Sequence, residues 1–173
     1  MNAGDRPADK CRQLIHTYIS RMRIIVAQTD EEILACLETV QALRPHITDA
    51  GAFLAQIKEM KHEGYKILYV ALEEDGKEKA VAFAGFRPML KLHRGPIIYI
   101  DDLSTHPAHR GKGYAGRLLD KIHELAKAEG KIAVELDSGY HRTDAHRLYL
   151  NKKYTLSSHH FAFMVDLSKP SPQ

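Results

Sequence analysis

Cysteine is scarce: the chain has two, Cys11 and Cys36, and they form no C-x-x-C pair. That gives no disulfide framework, and a reduced, cytoplasmic compartment is the expectation. Long apolar runs are missing too. None approaches the roughly 18 residues that cross a bilayer, so no membrane-spanning segment is expected. The opening MNAGDRPADKCRQ lacks the apolar core of a signal peptide. Charge of one sign is not in excess: 25 Lys and Arg face 22 Asp and Glu, a formal net charge of +3. Residues 1–21 hold Arg6, Lys10, Arg12 and Arg21 against Asp5 and Asp9, so the remainder is close to neutral. Neither nucleic acid nor an anionic membrane is therefore expected as a partner. No internal repeat or low-complexity tract is visible.

What is present is an ordinary globular composition, 44% hydrophobic and 27% charged, over 173 residues, enough for one domain with a sizeable core. Met22–Ala27 is short, apolar and β-branched, a strand pattern. Thr29-x-x-Glu32 is a capping box, followed by Ile33, Leu34, Leu37, Val40 and Leu43 at helical spacing. A second helix is expected from about Asp49 to Glu63, with Gly64 as its stop. Tyr65–Leu72 and Lys79–Arg87 read as a hairpin about a polar turn. A basic loop with Lys91, His93 and Arg94 leads to a strand over Ile97–Leu103. Ala115, Leu118, Leu119, Ile122, Leu125 and Ala126 mark an amphipathic helix closing at Gly130. Ile132–Leu136 reads as a buried strand, Asp144–Lys152 as a short helix, and 154–158 and 160–167 as two last strands. The order predicts a mixed α/β layer with helices on both faces of one sheet. Residues 1–21 stand apart as an extension and 168–173 as a tail, leaving a domain over 22–167.

The most informative stretch is Asp101–Leu119, DDLSTHPAHRGKGYAGRLL. A strand runs into a glycine-bearing loop, and the loop into a helix. Unpaired N–H groups and the helix dipole make such a terminus an anion site. Gly111 and Gly113 allow positive φ and close approach, while Arg110, Lys112 and Arg117 add positive charge. A pyrophosphate suits that arrangement. Gly111-x-Gly113-x-x-Gly116 also matches the dinucleotide fingerprint, with Asp137 about 20 residues on. Against that reading, the polar segment Ser104–Arg110, with Pro107, separates the strand from the first glycine. The chain after Gly116 is also too short for the second half of a doubly wound sheet.

Arg110-x-x-Gly113-x-Ala115 resembles the acetyl-CoA pyrophosphate motif of the GNAT superfamily, Q/R-x-x-G-x-G/A. The lead-in Leu103-Ser104-Thr105-His106-Pro107 and the helix start Arg117-Leu118-Leu119 resemble the family as well, and the element order agrees over roughly 22–167. The resemblance implies a central mixed, largely antiparallel sheet with one splayed parallel strand pair and helices on both faces. It implies acetyl-CoA as cosubstrate, with the pantetheine arm along the backbone of Leu103, Ser104 and Thr105. The diphosphate would fall on Arg110, Gly111, Lys112, Gly113, Tyr114, Ala115 and Gly116. Ile132–Leu136 would form the other wall of the gap, with Asp137 and Ser138 at its mouth. In the family's last helix, N-x-x-A-x-x-x-Y, Ala145 and Tyr149 match, whereas Arg142 replaces the asparagine, where a cation could serve a phosphate. Lys153 replaces a glycine that often adopts the left-handed conformation, at a cost of roughly 1 kcal/mol. The run SGYHRTDAHRLYL resembles a subset of the family that includes aminoalkylphosphonate acetyltransferases, which does not fix the acceptor.

Acetyl transfer needs a neutral amine, so a base or water relay must remove a proton, and the departing thiolate gains from a donor. By the resemblance Tyr149 is the candidate acid and Asp101 the candidate base, acting through water. Asp102 competes with Asp101. Alternation places the two on opposite faces, but family members often carry a bulge here, so parity leaves the choice open. The loop at Arg44-Pro45-His46 faces the acceptor by the same resemblance, and His106 and His109 flank the phosphate loop. His141, Asp144 and His146 cluster in sequence, as do His159 and His160, yet no two histidines stand at i, i+4, and no metal is expected. The expected function is acetyl transfer from acetyl-CoA to a primary amine of a small molecule or protein, without a covalent enzyme intermediate. A non-catalytic acyl-CoA-binding module and a nicotinamide-dependent oxidoreductase are the alternatives. The expected assembly is a monomer or a homodimer.

Overall fold

In a computed structural model of the chain, the described residues are 22–74 and 76–165. The extension over 1–21, the tail over 168–173 and Cys11 lie outside them. The described chain divides after Leu136 into two compact units.

The first unit is a five-stranded mixed sheet in the order β1 (Met22–Val26), β2 (Lys66–Glu74), β3 (Lys77–Lys91), β4 (Gly95–Thr105) and β5 (Ala133–Leu136). The first three neighbour pairings are antiparallel, and only β4 with β5 is parallel. A doubly wound dinucleotide fold needs a parallel sheet, so the glycine fingerprint does not carry that fold here. The basic loop expected at 91–94 is a tight hairpin turn: β3 runs to Lys91, and β4 begins at Gly95 with φ +83°.

Three short helices cover one face: α1 (Asp30–Ala35), α2 (Leu37–Gln41) and α3 (Ala50–His62). The capping box forms as the sequence indicates, Thr29 Oγ1 accepting from the Glu32 N–H and the Glu32 carboxylate accepting from the Thr29 N–H. The single helix expected behind it is interrupted at Cys36. There the Cys36 N–H turns to the Ile33 carbonyl (3.1 Å), and the Cys36 thiol donates to the Glu32 carbonyl (3.4 Å) instead. Side-chain bonding of this kind competes with the regular ladder. Ile33, Cys36 and Val40 pack with Phe53 and Ile57 on Tyr65, Ile67, Tyr69 and Ala71. Side chains alternate along a strand, so Leu68, Val70 and Leu72 face the other way. That second face is covered by α4 (Tyr114–Ala128), which buries Leu118, Leu119, Ile122 and Ala126 against β2 to β5.

The second unit contains α5 (Thr143–Asn151), followed by a segment without regular structure. The two strands expected over 154–158 and 160–167 are not formed within the described residues, where 154–165 carry no ladder. A strand needs a neighbour for its backbone groups, and among the described residues this unit holds one helix and no strand. Leu156, Phe161, Phe163, Met164 and Val165 are exposed accordingly. β5 also differs from the sequence reading: it is half-buried rather than buried.

Helices α3, α4 and α5 all end alike. The residue two past the last helical one has positive φ, and the next N–H reaches back to the third-last helical carbonyl: Tyr65 to Met60, Lys131 to Ala126, Tyr154 to Tyr149. Gly64 and Gly130 take the left-handed position in the first two. Lys153 takes it in the third, with φ +66°.

Candidate active site

β4 and β5 part company early. Their register ends at Ile100 opposite Leu136, while β4 continues to Thr105. The N–H of His106 donates to the Val81 carbonyl of β3 (2.9 Å). Neighbouring amides of an extended strand point to opposite edges, so those of Leu103 and Thr105 point away from β3, towards the edge that β5 leaves. Ser104 lies between them with its side chain buried.

The loop after β4 is shaped by its own backbone. Pro107 opens a short 3₁₀ turn to His109, at a helical start where a missing N–H costs nothing. His106 Nδ1 accepts from the Ala108 N–H (3.4 Å), and Arg110 Nε donates to the Thr105 carbonyl (3.3 Å). Gly111 and Gly113 have φ of +75° and +83°. A Cβ at either would meet open space, so conformation rather than crowding calls for glycine. Gly113 caps α4 with no side-chain hydrogen bond, and the first turn of α4 carries no acidic side chain. The first bond along the helix runs from the Arg117 N–H to the Gly113 carbonyl (3.2 Å), which leaves the Ala115 and Gly116 amides with no acceptor inside it. Arg110, Lys112 and Arg117 are exposed around this end, while Tyr114 and Gly116 are buried and anchor it. His109 lies behind the loop, its Nε2 3.7 Å from Glu74, and burial pushes its pKa down. A helix terminus without an internal anion and with three nearby cations suits a diphosphate.

The second group of residues sits at a bulge earlier in β4. Gly85 pairs with Asp102, but the next residue, Phe86, pairs with Ile100, so Asp101 is the extra residue. The bulge interrupts alternation, and both carboxylates meet side chains gathered around Tyr65. Asp102 accepts from Arg44 Nε (3.0 Å) and Nη2 (2.9 Å) at one oxygen and from the Tyr65 hydroxyl (3.1 Å) at the other. Asp101 accepts from Arg87 Nε (3.0 Å), while Arg87 Nη1 donates to Glu63 (2.5 Å). The Arg87 guanidinium stands over the Tyr65 ring, 5.5 Å from its centroid. Tyr65 is buried across Gly85, where an added Cβ would lie 1.7 Å from the tyrosine oxygen. Burial pushes the Tyr65 hydroxyl far above its usual range, with Asp102 adding to the effect. Burial also raises Asp101; adjacent Asp102 pushes the same way and Arg87 opposes both.

Sequence reasoning singled out the two aspartates and the Arg44 loop but missed Glu63, Tyr65, Gly85 and Arg87. A signal for one was available: a glycine inside an apolar strand marks a bulge or a close approach. The arginine and glutamate come from other elements, and nothing local announces them.

In the second unit, Arg142 precedes α5 without a side-chain cap, and Ala145 and Tyr149 lie on partly buried positions of that helix. Burial raises the Tyr149 hydroxyl, with Arg142 opposing, and its ring lies 5.8 Å from that of Tyr154. The Ser138 hydroxyl is buried without a hydrogen-bond partner among the described residues. The loop and the two aspartates thus belong to the first unit, and Ser138, Arg142, Ala145 and Tyr149 to the second.

The profile of the acetyltransferase (GNAT) family matches residues 33–152. An uncharacterized N-acetyltransferase of Bacillus subtilis, YhdJ, is 40% identical over 81 residues, which span 46% of this chain and 57% of that relative. Solved structures share the fold. An acetyltransferase of Trypanosoma brucei superposes with a TM-score of 0.67 at 22% identity, covering 84% of this chain and 99% of that one. An aminoglycoside acetyltransferase from an uncultured soil metagenomic sample, solved with sisomicin, gives 0.69 at 14% identity, covering 86% and 98%.

Proposed function

Because the chain belongs to the acetyltransferase (GNAT) family, we propose that it moves an acetyl group from acetyl-CoA to a primary amine of a small molecule or protein by direct attack. The observation that carries this reading is the loop itself: two glycines of positive φ deliver an uncapped helix terminus, ringed by Arg110, Lys112 and Arg117, beside the free edge of β4.

When bound, acetyl-CoA supplies the acyl carbonyl and a thiolate leaving group. The Leu103 and Thr105 amides pair with its pantetheine arm, with Ser104 between them. The amides of Gly111 to Gly116, Tyr114 and Ala115 included, and the three cations hold the diphosphate. Ser138, Arg142 and Ala145 complete the cofactor contacts. Asp101 takes a proton from the ammonium through water, which frees the nitrogen lone pair. Burial keeps that carboxyl above the ordinary carboxylate range, closer to what a base near neutral pH needs. Asp102 has both oxygens engaged by Arg44 and Tyr65, which favours Asp101 for the task. The Tyr149 hydroxyl gives its proton to the departing thiolate, and burial keeps it protonated until then.

The test is thiol release from acetyl-CoA with a panel of primary amines, small and peptidic. Amine-dependent release is the expected result. Tight binding of acetyl-CoA with no release for any amine would leave a binding module instead.

A further inference from the structure

Arg87 lies outside the loop, yet at the bulge it ties β3 to β4 and to the segment between α3 and β2. Its Nε reaches Asp101 on β4 and its Nη1 reaches Glu63 just past α3, while its guanidinium carbon stands over the ring of Tyr65 just before β2. Its side chain is only 19% exposed, and that of Asp101 23%. A guanidinium can bind two carboxylates with one rigid fork while its charge stands over a ring; an ammonium lacks that fork. The charged groups facing Asp101 are therefore Arg87 from β3 and Asp102 beside it, with Glu63, Tyr65 and Arg44 one contact further out. Asp102 repels a charge on Asp101 and Arg87 attracts it.

We infer that Arg87, clamped by Glu63 and Tyr65, is a positioning residue that fixes the Asp101 carboxylate in the bulge and holds it ionised against its neighbour Asp102. This rests on the reading of Asp101 as the base. Without Arg87 the carboxylate turns freely in the bulge and protonates at higher pH, because the remaining neighbour is negative. Without the charge of Asp102 it protonates at lower pH. The two changes have opposite signs, which a general loss of packing does not produce.

The experiment follows the Asp101 carboxyl carbon by NMR through a pH titration, alongside the pH profile of kcat/KM, in wild type, Arg87→Met, Arg87→Lys and Asp102→Asn. The NMR midpoint is expected to rise in Arg87→Met, fall in Asp102→Asn and lie between wild type and Arg87→Met in Arg87→Lys. The acid limb of the rate profile should move with it, lowering kcat/KM below the limb roughly tenfold in Arg87→Met, with CoA affinity unchanged. A midpoint and limb that stay put in Arg87→Met overturn the inference, and so does a loss of rate that is equal at every pH. If no amine is acetylated at all, the function fails, while the NMR midpoints still report whether Arg87 governs Asp101. Arg87→Lys keeps the charge and guards against a Met variant that does not fold.

Discussion

The two ends of the segment from Asp101 to Gly116 are built by opposite means. The loop end is backbone: two left-handed glycines, a proline start and an uncapped helix, all within ten residues of sequence. The bulge end is side chains from afar, with Arg44, Tyr65 and Arg87 converging on two aspartates and Glu63 holding Arg87 from behind. A site for a bulky, constant ligand can be made locally, because amides are available wherever a helix begins. Setting the charge of one carboxylate needs neighbours fixed by tertiary packing.

The largest effect that separates the two ends is on turnover. Asp101→Asn should lower kcat by roughly 10²–10⁴-fold, the usual contribution of a positioned base, while leaving CoA affinity within about twofold. Steady-state rates and calorimetry check both halves, and a parallel loss of affinity would erase the division between the ends. Tyr149→Phe should likewise reduce kcat with affinity kept.

Stability comes next. Gly85→Ala drives a methyl group into the Tyr65 hydroxyl, and the backbone there pairs with Asp102, so neither side yields easily. A loss of about 3 kcal/mol is expected, or roughly 6–12 °C in Tm. In a Tyr65→Ala background the same substitution should cost little further, since the clash has gone. Equal costs in both backgrounds would mean that the glycine serves the bulge rather than the tyrosine.

At the loop end, Gly111→Ala and Gly113→Ala each force a side chain into positive φ with no steric neighbour, about 1–2 kcal/mol of strain. The exposed loop relaxes out of that conformation when free and must take the strain up again on binding, so CoA affinity should fall roughly tenfold for each, read by titration calorimetry, with Tm nearly unchanged in a thermal melt. The smallest change lies in the second unit. Lys153→Gly relieves the one left-handed non-glycine among the described residues and should raise stability by about 1 kcal/mol in a denaturant titration.

The same contrast explains what could be read in advance. The capping box at Thr29, the stops at Gly64 and Gly130, and the loop from Arg110 to Gly116 are local in origin, and the sequence displays each of them. At Lys153 the sequence leaves the turn open, because a lysine stands where glycine would; the helix there ends with the same pair of hydrogen bonds as its glycine counterparts. The break at Cys36 involves its own thiol, which takes the Glu32 carbonyl while its N–H turns to Ile33, and apolar spacing does not encode that. The Asp101 bulge depends on the register between two strands, and the Arg87 fork on where α3 ends relative to β3. Residues 154–165 show the reverse failure: a strand-like pattern is legible there, but no strand partner lies among the described residues of their own unit.

The most direct measurement is an amide NMR titration with CoA. Shifts concentrated at Leu103, Thr105 and Gly111 to Gly116, saturating at one equivalent and absent with NAD, are the expected result. Unperturbed amides across that loop, or shifts produced by NAD instead, would contradict it.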